Sequence, residues 1–173
     1  MIEVEERILW QPPPSGMVKL NWDAAVDAKE KIIGLGIVGR DEKGSFLAAL
    51  SKQMRTDISP VGAEIYAALH AVQFCIEQCY SKAWFEGDAL QVVKEVNSEL
   101  PCESMHGHLT EAIKEHLQGL NQAILTHTRR EANAAAHELA VEARTHVIDT
   151  VRWTSIPPCI CCIVRREESL SSL

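Results

Sequence analysis

Asp23, Glu64 and Asp88 are acidic residues set among apolar or small neighbours, in KLNWDAAV, PVGAEIYAALHAV and KAWFEGDALQVV. Two follow short strand-like runs and one opens a strongly helical run, so the three carboxylates come from separate elements. Gathering ionised carboxylates costs roughly 3 kcal/mol for each pair at about 5 Å and an effective dielectric of about 20. Something positive must offset that. Two divalent cations about 3.5–4 Å apart would do so, and would clamp the attacking and leaving oxygens of a phosphodiester. Spacing alone leaves a plainer alternative open, in which each acid is a separate cap or surface residue.

The elements that must bring these acids together follow from the hydrophobic pattern. WQPPPSG at 10–16 is too rich in proline and glycine for regular structure, so residues 1–16 read as an irregular leader and the fold begins near Met17. Val18 to Val26, Ile32 to Arg40 and Ser45 to Gln53 are strand-like, and the short connections DAKEK and DEKG predict an antiparallel meander. Ser59-Pro60 is a helix start, and Ile65, Ala68, Leu69, Val72, Ile76 and Cys79 recur at helical spacing. Lys82 to Glu86 reads as a strand, and helices follow around Leu90 to Val96 and Leu109 to Leu120. Ala123 to Thr128 is a further strand, and Asn133 is placed to cap a last helix carrying Ala136, Leu139, Ala140, Ala143 and Val147. The order predicts an α/β fold with a five-stranded mixed sheet, three strands antiparallel and two parallel through helical crossovers. Strand ends and helix starts are where such sheets place their sites.

The length of 173 residues suits one domain, with about 70% of the surface of the unfolded chain buried. No apolar run approaches the roughly 18 residues of a membrane span. The acidic start MIEVEERILW is unlike a secretory signal, so an intracellular protein is expected, in nucleus or cytoplasm, with its six cysteines reduced. A net charge of −7 argues against a broad basic face for nucleic acid, but bound cations could supply positive charge locally.

KLNWDAA, the RDEKG turn, AEIYAALHAV, FEGDAL and RREANAAAHELA, in this order and spacing, resemble the type 1 ribonuclease H domain. The likeness is greatest to its retroelement-derived, reverse transcriptase-like branch, abundant in plant genomes. It extends to WQPPPSG before and to Trp153 and Pro157-Pro158 after, covering about residues 10 to 158. The resemblance implies a metal-dependent endonuclease that hydrolyses the RNA strand of RNA–DNA hybrids, using two Mg2+ ions, with Mn2+ as an alternative. Asp23 is similar to the ligand that bridges both metals, Glu64 to the helix acid that holds one, and Asp88 to the acid that orients water. The hybrid would be recognised through RNA 2′-hydroxyls and groove shape.

The sequence departs from the family at the fourth acid. Asn133 matches the family's asparagine before the last helix, but the position four later holds His137 where many members carry aspartate. Imidazole suits zinc or manganese better than magnesium, so one metal position is expected to be weakened. Glu138 lies about 100° around the helix and is a poor replacement. His127, six residues before Asn133, is near where some members place a mobile histidine that aids water activation or product release; a structural role is its alternative. Arg129 and Arg130 are candidates for phosphate contact, with Asn133, against solvated surface charge as the plain reading. The connection SELPCESMHGH has no lysine or arginine where some members carry a basic protrusion, so modest affinity is expected.

Two motifs are set aside. Gly34 to Gly39 fits G-x-G-x-x-G but leads into a turn and not a helix, so no dinucleotide or other organic cofactor is expected. Cys159, Cys161 and Cys162 are too closely spaced for a zinc knuckle. The domain is therefore placed at residues 17–150, with 151–173 as a C-terminal extension whose tail after Pro158 is expected to be loosely held, and a monomer is favoured. The alternative to the nuclease is a catalytically weak binding module of the same fold.

Overall fold

The charged stretch after Asp27 turns the chain because the Asp27 side chain accepts from the Lys29 and Glu30 amides at 3.1 and 3.0 Å, and Lys31 takes a left-handed φ of 54°. Asp41 closes the next turn in the same way, accepting from Lys43 and Ser45 at 2.9 Å, with Gly44 at φ 81°. These turns set β1 (Val18–Asp27), β2 (Ile32–Arg40) and β3 (Phe46–Arg55) as an antiparallel meander. The computed structural model describes residues 9–146 and 149–171. Val147 lies outside them.

Ser59 caps α1 (Pro60–Glu77) by accepting from the Gly62 amide at 3.1 Å. β4 (Lys82–Gly87) then runs parallel to β1, followed by α2 (Leu90–Asn97) and α3 (Gly107–Gln118). β5 (Gln122–His127) runs parallel to β4, and a short 3-10 turn (Arg130–Asn133) leads into α4 (Ala134–His146). The sheet has six strands in the order β5-β4-β1-β2-β3-β6, not the five expected. The additional strand β6 (Thr150–Trp153) pairs antiparallel with β3. Its four residues, Thr-Val-Arg-Trp, alternate polar and apolar types, but so short a run depends on the β3 edge for its pairing.

β2 and β3 feed two cores because side chains alternate between faces. Leu20, Trp22, Ile33, Leu35 and Ile37 pack with α1 in the larger core, while Val38 and Ala49 meet Leu139 of α4 on the other face. The first two glycines of the G-x-G-x-x-G run, Gly34 and Gly36, serve that second face. A Cβ on Gly34 would stand 2.2 Å from Ala140 O and one on Gly36 2.4 Å from Ala136 O, so their absence of side chain lets α4 lie directly on β2.

The segments flanking these elements are also packed. Trp10 is 2% exposed and donates from Nε1 to Asn21 Oδ1 at 2.8 Å, although residues 9–14 form no helix or strand. The extension, expected to be loosely held, forms a 3-10 turn (Pro158–Ile160) and α5 (Cys161–Ser171). Ile160 and Val164 join the second core, and Glu167 forms a buried ion pair with Arg40. Among the described residues no helix is long and apolar enough to cross a membrane.

Candidate metal centre

The register of β1 and β4 brings Asp23 and Asp88 together. Trp22 lies opposite Gly87, so β4 ends one residue short of Asp23 and Asp88 follows immediately. Gly87 makes that approach possible, since a Cβ there would stand 2.4 Å from the Trp22 ring. Past the end of β4, the Glu64 carboxylate from α1 meets them. Asp23, Glu64 and Asp88 each offer an oxygen within 4.8 Å of the others. Separate caps or surface acids, the plainer alternative, are therefore not what the chain builds.

Burial makes this cluster electrostatically strained. Asp23 is 3% exposed, and desolvation together with the Asp88 charge raises its pKa, while hydrogen bonding from His137 opposes the rise. Glu64 is pushed up to about 10, first by desolvation and then by the neighbouring Asp23 and Asp88 charges. Its Oε2 is buried without a hydrogen-bond partner. A buried carboxylate oxygen without a partner, on a residue clustered with two other carboxylates, is what a cation would satisfy, so the residues present fit a hard divalent ion.

His137 joins this cluster. Its Nδ1 lies 2.7 Å from Asp23 Oδ2, and with Asp23 ionised the ring N–H donates to the carboxylate. Glu138 is exposed and turned away. Arg130 approaches Asp88 loosely, with Nε 3.5 Å from Oδ2, and the two line a groove of about 270 Å³ with Glu64, Pro60 and Gln91. His127 is exposed at the end of β5, in register with Gly87, and Arg129 is exposed. Neither forms a hydrogen bond or ion pair with the acids.

Asn133 departs from its expected capping role. It is 1% exposed, donates to the Trp22 carbonyl at 2.9 Å and accepts from Asn21 Nδ2 at 3.1 Å, so its side chain crosses to β1. Around it lies a polar network that was missed in the sequence. Asn21 also donates to Glu86 Oε1 at 3.2 Å, and Glu86 Oε2 receives Lys19 Nζ at 3.1 Å. Burial lowers the Lys19 pKa, partly offset by Glu86, and the ammonium lies 4.0 Å from the centre of the Trp84 ring. The signal was present as polar residues at every second position of β1, Lys19, Asn21 and Asp23, which put three polar groups on one face.

Comparison with known proteins agrees with this geometry. The sequence profile of the reverse transcriptase-like family matches residues 21–143, from Asn21 through most of α4. The chain belongs to the reverse transcriptase-like family. As a member of it, the protein has the fold of type 1 ribonuclease H. The ribonuclease H1 of the halophilic archaeon Halobacterium salinarum is similar at 21% identity and a TM-score of 0.68, over 73% of this chain and 96% of that one. An N-terminal ribonuclease H domain from Mycobacterium tuberculosis gives 17% identity and 0.66, over 74% and 93%. A ribonuclease H1 isolated from compost, solved in complex with an RNA/DNA hybrid, gives 20% and 0.64, over 73% and 96%. No curated protein sequence matches this family member at a significant level.

Proposed function

We propose that this domain is a divalent-metal-dependent nuclease that hydrolyses the RNA strand of an RNA–DNA hybrid. The observation that carries the reading is the convergence of Asp23, Glu64 and Asp88, with Glu64 Oε2 buried and unpartnered, a donor set that is costly without a cation. All three ligands are carboxylates, which suits Mg2+ and also Mn2+. Two such ions, when bound, would polarise the scissile phosphate and lower the pKa of the attacking water.

The residues divide the work by position. Asp23, nearly buried and central, would serve both ion positions, and Glu64 one of them. Asp88, at the groove and half-buried, would orient the water. Arg130 on the groove rim is placed for a backbone phosphate, Arg129 beside it for a second, and His127 at the strand end for proton transfer or product release. His137 gives its Nδ1 hydrogen to Asp23 and adds no negative charge, so the ion position it faces would be the weaker.

A hybrid is chosen as substrate because a ribonuclease H1 of this fold was solved on one. Grip would come from groove shape and 2′-hydroxyls. It would be modest, because the α2–α3 groove of about 670 Å³ is lined by Glu99, Glu111 and Glu115, with Lys114 its one base, already paired to Glu111. The test is cleavage of an end-labelled hybrid with Mg2+ and with Mn2+: products ending in 3′-hydroxyl and 5′-phosphate are expected, lost in Asp23→Asn. Equal cleavage by Asp23→Asn would overturn the assignment.

His137 on Asp23 favours one second reading, a hybrid-binding module with little catalysis. That reading holds if the wild type binds the hybrid without cutting it in either metal and His137→Asp cuts. It fails if the wild type is already fully active in Mg2+.

A further inference from the structure

Three of the four residues at the centre sit at fixed steps beyond residues joined by one buried amide. Asp23 is two residues beyond Asn21 on the same face of β1, and Asp88 is two beyond Glu86 at the end of β4. His137 is four beyond Asn133, one helical turn up the same side. Asn21 Nδ2 donates to both Glu86 Oε1, at 3.2 Å, and Asn133 Oδ1, at 3.1 Å. The Asn21 side chain is fully buried.

We propose that Asn21 is the positioning residue of the centre, setting the separation of Asp23, Asp88 and His137 through a single side chain. Its two N–H bonds tie β1 to β4 and to the start of α4, and Asn133 returns a bond to the Trp22 carbonyl, next to Asp23, at 2.9 Å. The acceptor side fixes which way the amide faces. Oδ1 receives Trp10 Nε1 at 2.8 Å and Arg40 Nη2 at 3.5 Å, and Arg40 in turn is paired with Glu167. Donors on both sides of Oδ1 leave the amide one orientation, with its NH2 toward Glu86 and Asn133. Trp10 and Glu167 lie outside the matched residues 21–143, so the leader and α5 act on the centre through Asn21.

The inference rests on the metal-dependent reading of the three acids. The test is Mn2+ affinity by calorimetry on the full chain, with kcat and KM on the hybrid, for Asn21→Ala and for Ile113→Val, which loosens the larger core at α3 without touching Asn21, Arg40 or α4. The expected result is a fall in Mn2+ affinity of about 10-fold or more in Asn21→Ala, of the size seen when groups that orient metal ligands are removed. kcat should fall with KM unchanged, and Ile113→Val should bind Mn2+ as the wild type does. A folded Asn21→Ala that keeps wild-type affinity overturns the proposal, as does an equal loss in Ile113→Val. If Asn21→Ala does not fold, Trp10→Phe decides, since it removes one indole N–H from Oδ1 and keeps the ring: weakened Mn2+ binding supports the proposal, and unchanged binding overturns it. A wild type that binds no Mn2+ overturns the metal reading and this inference with it, whereas wild-type binding retained in Asn21→Ala overturns only the latter.

Discussion

His137 Nδ1 stands 2.7 Å from Asp23 Oδ2, with the Asp23 side chain 4% exposed and the imidazole 32% exposed. The bond takes up one carboxylate oxygen of the residue proposed to serve both ion positions. His137→Asp replaces it with a fourth hard ligand. Mg2+ affinity and Mg2+-supported cleavage should each rise, by about 10-fold or more, measured by calorimetry and by hybrid cleavage at subsaturating Mg2+. No gain in either would show that the imidazole does not limit the site.

Glu64 gives the metal-free protein a pH dependence of definite sign. Its pKa is raised from 4.5 to about 10 on folding, so the folded state binds the extra proton. Stability is therefore full below the unfolded value and is lost as pH rises toward the folded one. With EDTA present, the thermal midpoint should fall steadily between about pH 5 and about pH 9. Glu64→Gln should flatten that fall, and saturating Mg2+ should reverse it with release of protons. A wild-type midpoint that climbs across this range would contradict the burial argument.

Gly36 is where α4 rests on β2. A Cβ there would stand 2.4 Å from Ala136 O and 2.5 Å from Ala140 N, and both are backbone atoms that no rotamer change can move. Gly36→Ala should cost about 1–3 kcal/mol by urea denaturation. It should also push His137 away from Asp23, visible as a changed His137 imidazole signal by NMR. An unchanged urea midpoint would mean that α4 does not lie on β2 as closely as described.

Arg40 is 1% exposed, and burial lowers its pKa against the raising influence of Glu167. Removing only the acid leaves a guanidinium in the second core. Glu167→Ala should therefore cost about 3–5 kcal/mol. The double variant Arg40→Met with Glu167→Leu should recover much of that loss in the same urea titration. Equal stability of Glu167→Ala and wild type would place α5 outside the folded unit.

The elements carrying the acids were legible because their signals are local. The alternation in β1, the Ser59-Pro60 start of α1 and the Gly87 break after β4 are written within a few residues of each acid. β6 and α5 were not legible. Thr150–Trp153 becomes a strand only because β3 presents a free edge, and α5 is held by Ile160, Val164 and a partner, Arg40, 127 residues away from Glu167. Asn133 was misjudged as a cap because a cap is a local bond, whereas its partners lie 111 and 112 residues back on β1.

The sequence by itself determined the family, the order of elements from β1 to α4 and the identity of three acids able to hold a cation, since each follows from residue type and near-neighbour spacing. Only the tertiary structure decided that those acids meet within 4.8 Å and that His137 is bound to Asp23. It alone revealed that Asn21, Glu86 and Asn133 share one buried network. The physical reason is that a hydrogen bond or a desolvated charge depends on atoms brought within about 3–5 Å, a distance that chain spacing does not specify once strands and helices cross.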